Sequence, residues 1–271
     1  MAPRATRSTT TSLRAVETAH ALADASGAAI RPYFRKRYAI DNKHGDGGFD
    51  PVTDADRKAE RVMRRLIAER HPDHGIVGEE YAETPASSAF RWVLDPIDGT
   101  RAFMSGFPLW GTLIGLLDGD IPMIGMMDQP VIGERYWSDG KKSFMRTADG
   151  KPRALKARPT TKLDEAILVT TSPDLFSAPA DRAAFERVKA SVRMTRFGGD
   201  CYGYAMVAAG QIDCVVEAGL KAVDIGALIP IIENAGGVVT TWDGSTAIHG
   251  GNIAASANPT LHTKLLKRLR G

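Results

Sequence analysis

Cysteine is scarce in this chain of 271 residues, which contains only Cys201 and Cys214. The two follow no metal-ligand spacing, and so few cysteines do not form a disulfide framework. The six histidines form no HExxH or other zinc-binding spacing. Without clustered sulfur or nitrogen ligands, any bound metal should be a hard cation, with Mg²⁺ preferred over Zn²⁺. The low cysteine content also fits a reducing cytosol.

Several sequence signals that define other protein classes are missing. No apolar run is long enough to span a membrane, so we predict no membrane contact. The segment from Met1 to Arg14 has no apolar core, so it is not a secretory signal; it resembles a frayed start more than a transit peptide. We therefore predict a cytoplasmic protein. The net charge of +3 is too small to indicate a nucleic-acid partner. No P-loop and no G-x-S-x-G motif is present.

The hydrophobic pattern predicts a large α/β protein. Leu109 to Met145 follows a strand–turn–strand pattern, which favours antiparallel pairing. After the polar region Thr147–Lys162, strands and helices alternate, as in layered α/β folds. We predict two halves of one compact unit, residues 1–150 and 151–271. The elements predicted around the polar motifs are a helix over 12–38, a helix from Thr53 to His71, a strand Arg91–Asp95 ending in a tight turn, and one helix over 224–235.

The most informative segment is Leu94-Asp95-Pro96-Ile97-Asp98-Gly99-Thr100. Asp95 and Asp98 follow the apolar run Trp92-Val93-Leu94, and Pro and Gly are typical of a turn. Two adjacent carboxylates repel each other unless a cation or a proton lies between them. A divalent cation with oxygen ligands would remove that repulsion. The N–H groups of Gly99 and Thr100 could then face an anion.

Three other acidic residues stand at the edges of predicted elements. Glu79 follows the predicted strand Ile76–Gly78, Asp224 opens a helix, and Asp56 lies in the first turn of the second helix. Each also has a purely structural interpretation. Asp224 is suited to cap its helix, and Asp56 is suited to a capping box with Thr53. Their spacing alone does not decide between these roles.

The ordered motifs resemble the inositol monophosphatase superfamily across nearly the whole chain. The resemblance implies a layered α-β-α-β-α sandwich, a mixed sheet in the N-terminal half, a homodimer, and Mg²⁺-dependent hydrolysis of a small phosphate monoester. The matching segments are Asp50–Asp56, Gly78-Glu79-Glu80, Asp95–Thr100, Asp224 with the helix that follows it, and Asn252–Ala257.

The resemblance also implies roles for individual residues. Glu79, Asp95 and the Ile97 carbonyl are implied to hold one Mg²⁺, and Asp95, Asp98 and Asp224 a second. A third, looser Mg²⁺ is implied near Glu79. Thr100, oriented by Asp56, is implied to help take a proton from water. The N–H groups of Gly99 and Thr100 are implied to bind phosphate.

A further set of segments is similar, within the superfamily, to the histidinol-phosphatase branch of bacteria and plants: Gly111–Ile114, Gly125–Pro130, Thr171–Pro173, Gly199–Ala205, Val216–Lys221 and Asp224–Pro230. Asp200 stands where inositol phosphatases usually have a small residue, and Val223 where they usually have Trp. An extra carboxylate at Asp200, near Glu217, would favour a substrate with an ammonium group and an imidazole. The alternative is that Asp200 merely caps the helix that follows it. Asp98, Gly99, Thr100 and Asp224 complete the predicted substrate contacts.

Other functions stay open at this point. The same site could serve inositol 1-phosphate or another small polyol phosphate. The loops look too short for a 3′-phosphoadenosine nucleotide. A non-catalytic phospho-ligand binding module is a further alternative, although it would have no need for a residue such as Thr100 that activates water.

Overall fold

The computed structural model describes residues 9–36, 40–42 and 51–271, with side chains for 13–36 and 54–271. Two short strands, β1 (Ile40–Asn42) and β2 (Pro51–Thr53), form an antiparallel pair near the start of the chain. No helix among the described residues is long and apolar enough to cross a membrane.

The segment from residue 75 to residue 154 contributes all strands of a seven-stranded mixed sheet. Its strands lie in the order β3-β4-β5-β6-β7-β8-β9. The first two strands are parallel and all later neighbours are antiparallel. The strands are β3 (Gly75–Gly78), β4 (Phe90–Asp98), β5 (Gly111–Asp118), β6 (Ile121–Gln129), β7 (Glu134–Ser138), β8 (Ser143–Arg146) and β9 (Arg153–Ala154).

The second sheet has five strands in the order β11-β10-β12-β14-β13. The strand β10 is parallel to both of its neighbours, and β14 is antiparallel to both of its own. This sheet is therefore also mixed. The strands are β10 (Ile167–Thr170), β11 (Met194–Phe197), β12 (Cys214–Leu220), β13 (Val238–Thr241) and β14 (Gly251–Ser256).

Helices cover both sheets and fill the space between them. α1 and α2 pack on the outer face of the first sheet, and α4 and α8 on the outer face of the second. α5, α6 and α7 lie between the sheets, where the largest buried cluster joins residues of both. The predicted α-β-α-β-α layering is confirmed. The helices are α1 (Thr9–Ile30), α2 (Asp54–Arg70), α3 (Thr100–Met104), α4 (Pro179–Lys189), α5 (Cys201–Ala208), α6 (Ala222–Ile225), α7 (Leu228–Glu233) and α8 (Pro259–Arg270).

Some predicted boundaries were wrong for identifiable reasons. The helix predicted over 12–38 ends at Ile30, before Pro32, and its last residues, 37 and 38, lie outside the described residues. The single helix predicted over 224–235 is two helices. The break lies at Gly226 and Ala227. Pro230 stands in the first turn of the second helix, where its missing N–H is tolerated. The division at residue 150 stays a prediction; β9 of the first sheet lies just beyond it.

The strand β4 does not end at Asp95 as predicted. It continues to Asp98, with a shift in its pairing with β5: Asp95 lies opposite Leu113, and Asp98 opposite Gly111. A bulge of this kind accommodates Pro96, which cannot donate to a sheet ladder. The chain turns one residue later at Gly99, whose φ of 87° is a left-handed conformation suited to glycine.

Candidate active site

Three carboxylates converge at the end of β4. Asp95, Asp98 and Asp224 each offer one oxygen, and these three oxygens lie within 4.8 Å of one another. Asp95 and Asp98 come from the bulged end of β4, and Asp224 from α6 between the sheets. Asp95 is only 2% exposed. The two acids of the sequence motif are thus joined by a third from the other half of the chain.

The electrostatics of this cluster are unfavourable without a cation or a proton. Burial, together with the charges of neighbouring carboxylates, raises the pKa of Asp95 and of Asp98 well above the ordinary value. Burial also raises the pKa of Asp224 to about 6. Converging carboxylate oxygens are the donor set that hard divalent cations prefer. The chemistry of the cluster therefore fits Mg²⁺.

Local hydrogen bonds fix the backbone of the bulge. The Ile97 N–H donates to Asp95 Oδ1 at 3.1 Å, and the Thr100 hydroxyl donates to the Ile97 carbonyl at 3.0 Å. Thr100 is the first residue of α3, with Gly99 at its N-cap position. The bulge, Gly99 and Thr100 thus form one rigid turn beside the carboxylates.

Asp224 occupies the third position of α6, after the N-cap residue Lys221. The Lys221 N–H donates to Asp224 Oδ2 at 2.7 Å. The structural interpretation of Asp224 as the N-cap itself was therefore wrong in position, although the carboxylate does stabilise the start of the helix. This bond leaves the second oxygen, Oδ1, available for another role.

Glu79 and Asp56 lie close enough to influence the cluster. The charge of each raises the pKa of Asp95, and that of Glu79 also raises the pKa of Asp224. Glu79 Oε1 pairs with Lys221 Nζ at 3.2 Å. Asp56, in the first turn of α2, is 1% exposed. The fold therefore brings together all five acids that the sequence singled out around the motif.

A cavity of about 90 Å³ opens beside the cluster. Its lining combines apolar side chains with four acids that the sequence predicted, Asp98, Asp200, Glu217 and Asp224. The remaining lining residues are Thr171, Leu175, Cys201, Tyr204, Leu220 and Leu228.

Asp200 sits at the N-cap position of α5, but its carboxylate accepts no capping hydrogen bond. The alternative that it merely caps this helix is wrong. Asp98 does so in its place, because its Oδ2 accepts from the Cys201 N–H at 2.6 Å. Asp200 has a φ of 45°, a conformation that costs free energy in a residue other than glycine. Burial raises the pKa of Asp200 to about 6.

Glu217 lies on β12 and is 3% exposed. Its Oε1 accepts from the Thr171 N–H at 2.9 Å and from the Thr171 hydroxyl at 2.5 Å, and its Oε2 accepts from the Tyr204 hydroxyl at 3.0 Å. Burial raises its pKa. Sequence reasoning did not predict that Thr171 and Tyr204 hold this carboxylate. Their separation along the chain gives no signal of the contact.

Comparisons with known proteins agree on one family. A family-wide sequence profile described as the inositol monophosphatase family matches residues 13–271. A bifunctional phosphatase IMPL2, chloroplastic, from Arabidopsis thaliana is 41% identical over 92% of this chain and 73% of its own length. A histidinol-phosphatase from Mycobacterium tuberculosis is 34% identical over 81% of this chain and 84% of its own. A solved inositol monophosphatase from Zymomonas mobilis superposes with a TM-score of 0.83 at 36% identity, covering 94% of this chain and 97% of that one.

Proposed function

The chain belongs to the inositol monophosphatase family and is therefore a phosphatase acting on phosphate monoesters, and we propose that its substrate is histidinol phosphate. The observation that carries this proposal is the Asp200 carboxylate. It lines the cavity beside the acidic cluster without capping its helix. The histidinol-phosphatase from Mycobacterium tuberculosis, at 34% identity, supports the same substrate.

The charge of the cavity suits a cationic substrate. Asp98, Asp200 and Glu217 all line it. Both Glu217 oxygens already accept hydrogen bonds, from Thr171 and Tyr204, so Glu217 is held in place and is less available for a direct contact with the substrate. Asp200 is the carboxylate best suited to pair directly with the ammonium group of histidinol phosphate. An inositol ring carries only hydroxyls and would gain less from these charges.

Enzymes of this family generally require a metal, typically Mg²⁺. Glu79, Asp95, the Ile97 carbonyl, Asp98 and Asp224 would hold two to three such ions. Bound Mg²⁺ polarises a phosphate ester and lowers the pKa of a coordinated water. The convergence of three carboxylate oxygens within 4.8 Å supports this assignment.

Residues of the bulge would position the reacting groups. The Gly99 and Thr100 N–H groups would donate to phosphate oxygens, as backbone N–H groups at a turn often do. Thr100 Oγ1 would take the proton of the attacking water while the hydroxyl, turned from the Ile97 carbonyl to Asp56, passes its own proton to the Asp56 carboxylate. The present bond from the Thr100 hydroxyl to the Ile97 carbonyl, at 3.0 Å, keeps Oγ1 beside the cluster.

A substrate panel tests the proposal. With Mg²⁺ present, we expect kcat/KM for histidinol phosphate to exceed that for inositol 1-phosphate. Asp200→Asn should lower kcat/KM for histidinol phosphate about 10- to 100-fold, because one charge-assisted contact of about 1.5–3 kcal/mol is lost. Turnover of inositol 1-phosphate should change much less. Asp149→Asn, at an exposed site, is the matched control.

Equal losses for both substrates would contradict a charge-selective role for Asp200. Faster turnover of inositol 1-phosphate by the wild-type enzyme would favour the second candidate, an inositol phosphatase. That candidate is supported by the similarity to the Zymomonas mobilis inositol monophosphatase, with a TM-score of 0.83. Binding of either ester without release of phosphate at any Mg²⁺ concentration would instead indicate a phospho-ligand binding module.

We also propose that the protein is cytoplasmic and that it forms a homodimer. The relative from Arabidopsis thaliana is named chloroplastic, so fractionation of the source cells is the direct test of location. Sedimentation velocity of the purified chain tests the dimer.

A further inference from the structure

A buried carboxylate outside the acidic cluster holds the segment that carries Glu79. Glu60 lies on α2, its side chain fully buried. Its Oε2 accepts from the Glu80 N–H at 2.7 Å, and its Oε1 accepts from Arg64 Nε at 2.7 Å. A buried carboxylate is costly unless hydrogen bonds satisfy it. Here both bonds are short and charge-assisted, and one of them goes to the backbone next to Glu79.

The other neighbour of Glu79 also packs on Glu60. A Cβ atom added to Gly78 would overlap the Glu60 carboxylate, so the end of β3 lies directly against it. Glu60 therefore contacts the chain on both sides of Glu79. Only glycine at position 78 permits this approach. Through Glu60, α2 therefore fixes the direction in which the chain continues from β3 into Glu79.

Arg64 extends the attachment along the same segment. Its Nη2 donates to the Tyr81 carbonyl at 3.0 Å, and its Nη1 donates to the Thr84 hydroxyl at 3.0 Å. Because residues four apart lie on one helix face, Glu60 and Arg64 present a continuous surface to residues 78–84. Asp56 is one turn earlier on α2. The same helix thus supplies a predicted site residue and the support for another.

We infer that Glu60 is a positioning residue: together with Arg64 it holds Glu79 in the orientation needed to contribute to the metal site. Neither residue touches the reacting atoms. The inference rests on the proposed function, since it assumes that Glu79 is a metal ligand. It gives a specific reason for a fully buried acid on α2.

The test compares metal binding and catalysis in Glu60→Gln with the wild-type protein. A glutamine has one neutral acceptor oxygen in place of the two carboxylate oxygens, so it cannot accept from both the Glu80 N–H and Arg64 and holds Glu80 more weakly. We expect Mn²⁺, titrated into metal-free protein and followed by electron paramagnetic resonance, to bind about 10-fold more weakly, as for other residues that orient metal ligands. The Mg²⁺ concentration for half-maximal activity should rise similarly, while kcat at saturating Mg²⁺ recovers to near the wild-type value.

Two further variants keep the result interpretable. Glu69→Gln removes a 59% exposed carboxylate from the same helix and should leave Mn²⁺ affinity and activity unchanged. If Glu60→Gln does not fold, Arg64→Met tests the same contacts at a side chain that is 15% exposed and therefore easier to replace. This variant should weaken Mn²⁺ binding about 3-fold or more. Amide exchange at Glu80 should speed up in the variant that folds.

A folded Glu60→Gln protein with wild-type Mn²⁺ affinity and unchanged Glu80 exchange would overturn the inference, as would wild-type affinity in Arg64→Met. A loss of kcat that excess Mg²⁺ does not restore would also overturn it. If the wild-type protein binds no Mn²⁺ at all, the proposed function itself fails. The two failures are therefore distinguishable.

Discussion

Asp98 shows how one side chain can serve two neighbours. Its carboxylate offers an oxygen to the group of three that converge within 4.8 Å, and its Oδ2 accepts from the Cys201 N–H at 2.6 Å. The N-terminus of α5 is a favourable place for a negative charge. Burial and the charges of Asp200 and Asp224 nevertheless raise the pKa of Asp98. The residue is stabilised by one neighbour and destabilised by the others.

Replacing Asp98 with asparagine separates these effects. The amide oxygen can still accept from Cys201, and the repulsion from Asp224 is relieved, so we expect the metal-free Tm to stay within about 3 °C of wild type. Phosphatase activity with Mg²⁺ should fall at least about 100-fold, because a direct ligand matters more than the groups around it. Phosphate release and thermal unfolding measure the two outcomes. Substantial activity in this variant would contradict the site assignment; Asp73→Asn, at an exposed position, is the control.

At the residue scale, the sequence predicted the acidic residues of the site better than the groups that hydrogen-bond to them. Asp95 and Asp98 are recognisable because two carboxylates follow a buried strand. The capping of α5 by Asp98 was not predictable, because Asp200 is the residue that precedes the helix. The contacts of Glu217 with Thr171 and Tyr204 and of Glu60 with Glu80 join residues distant along the chain. Spacing rules describe neighbours along a helix or strand and do not reach such pairs.

At the scale of elements, His262 joins the last helix to the second sheet. On α8 it is 5% exposed, with Nε2 at 2.8 Å from the Thr240 hydroxyl and Nδ1 at 2.9 Å from the Ser256 hydroxyl. Burial, with a smaller effect of Arg270, lowers its pKa from 6.5 to about 4. Folding therefore favours the neutral ring. The stabilisation is complete above pH 6.5 and is lost as the pH falls towards 4.

This shift predicts a pH-dependent role for His262. In His262→Gln, which cannot titrate, the difference in the free energy of unfolding from wild type should shrink by up to about 3 kcal/mol between pH 7 and pH 4. Urea unfolding at several pH values measures it. The control is His249→Gln, which alters a 66% exposed histidine. Parallel stability curves for wild type and His262→Gln would contradict the prediction.

Element types were predictable where periodicity or capping was strong. Asn258-Pro259 is a typical helix start, and the C-terminal helix does begin there, with Asn258 Oδ1 accepting from the Leu261 N–H at 3.0 Å. The continuation of β4 through Pro96 was not expected, because proline usually ends a strand. The pairing with β5 accommodates it by a bulge, which depends on the partner strand and not on the local sequence.

At the scale of the whole molecule, the acidic cluster joins two sheets. Asp95 and Asp98 come from the first sheet, whereas Asp224 comes from α6, which follows β12 of the second. A cation bound by all three would hold these parts together. It would also remove their mutual repulsion, so binding should stabilise the folded state.

Mg²⁺ should therefore raise the Tm of the metal-free protein. At 100 times the dissociation constant, a ligand specific for the folded state adds about 2.7 kcal/mol, or roughly 5–10 °C in a protein of this size. Asp224→Asn should abolish most of this shift. Differential scanning calorimetry with and without MgCl₂, with CaCl₂ as a comparison salt, measures it. An equal shift in the variant would show that Asp224 does not contribute.

The layered architecture was predictable because the motifs, in order, match a known family across nearly the whole chain. The alternation of strands and helices also predicted α/β layers. Strand order was not predictable, because β14 lies between β12 and β13 and the sequence pattern does not indicate which neighbours pair. That order is set by how the buried faces pack.

The bond between Asp98 and the Cys201 N–H has a practical consequence. The Cys201 amide nitrogen lies 2.6 Å from Asp98 Oδ2. The chemical shift of the amide proton between them depends strongly on the charge of the carboxylate. Any ion or substrate that draws electron density from Asp98 changes the signal of a backbone amide on another element. In ¹⁵N-labelled protein this amide is thus a built-in nuclear magnetic resonance reporter, which follows occupancy of the site without an attached probe or a change of sequence at the acids themselves.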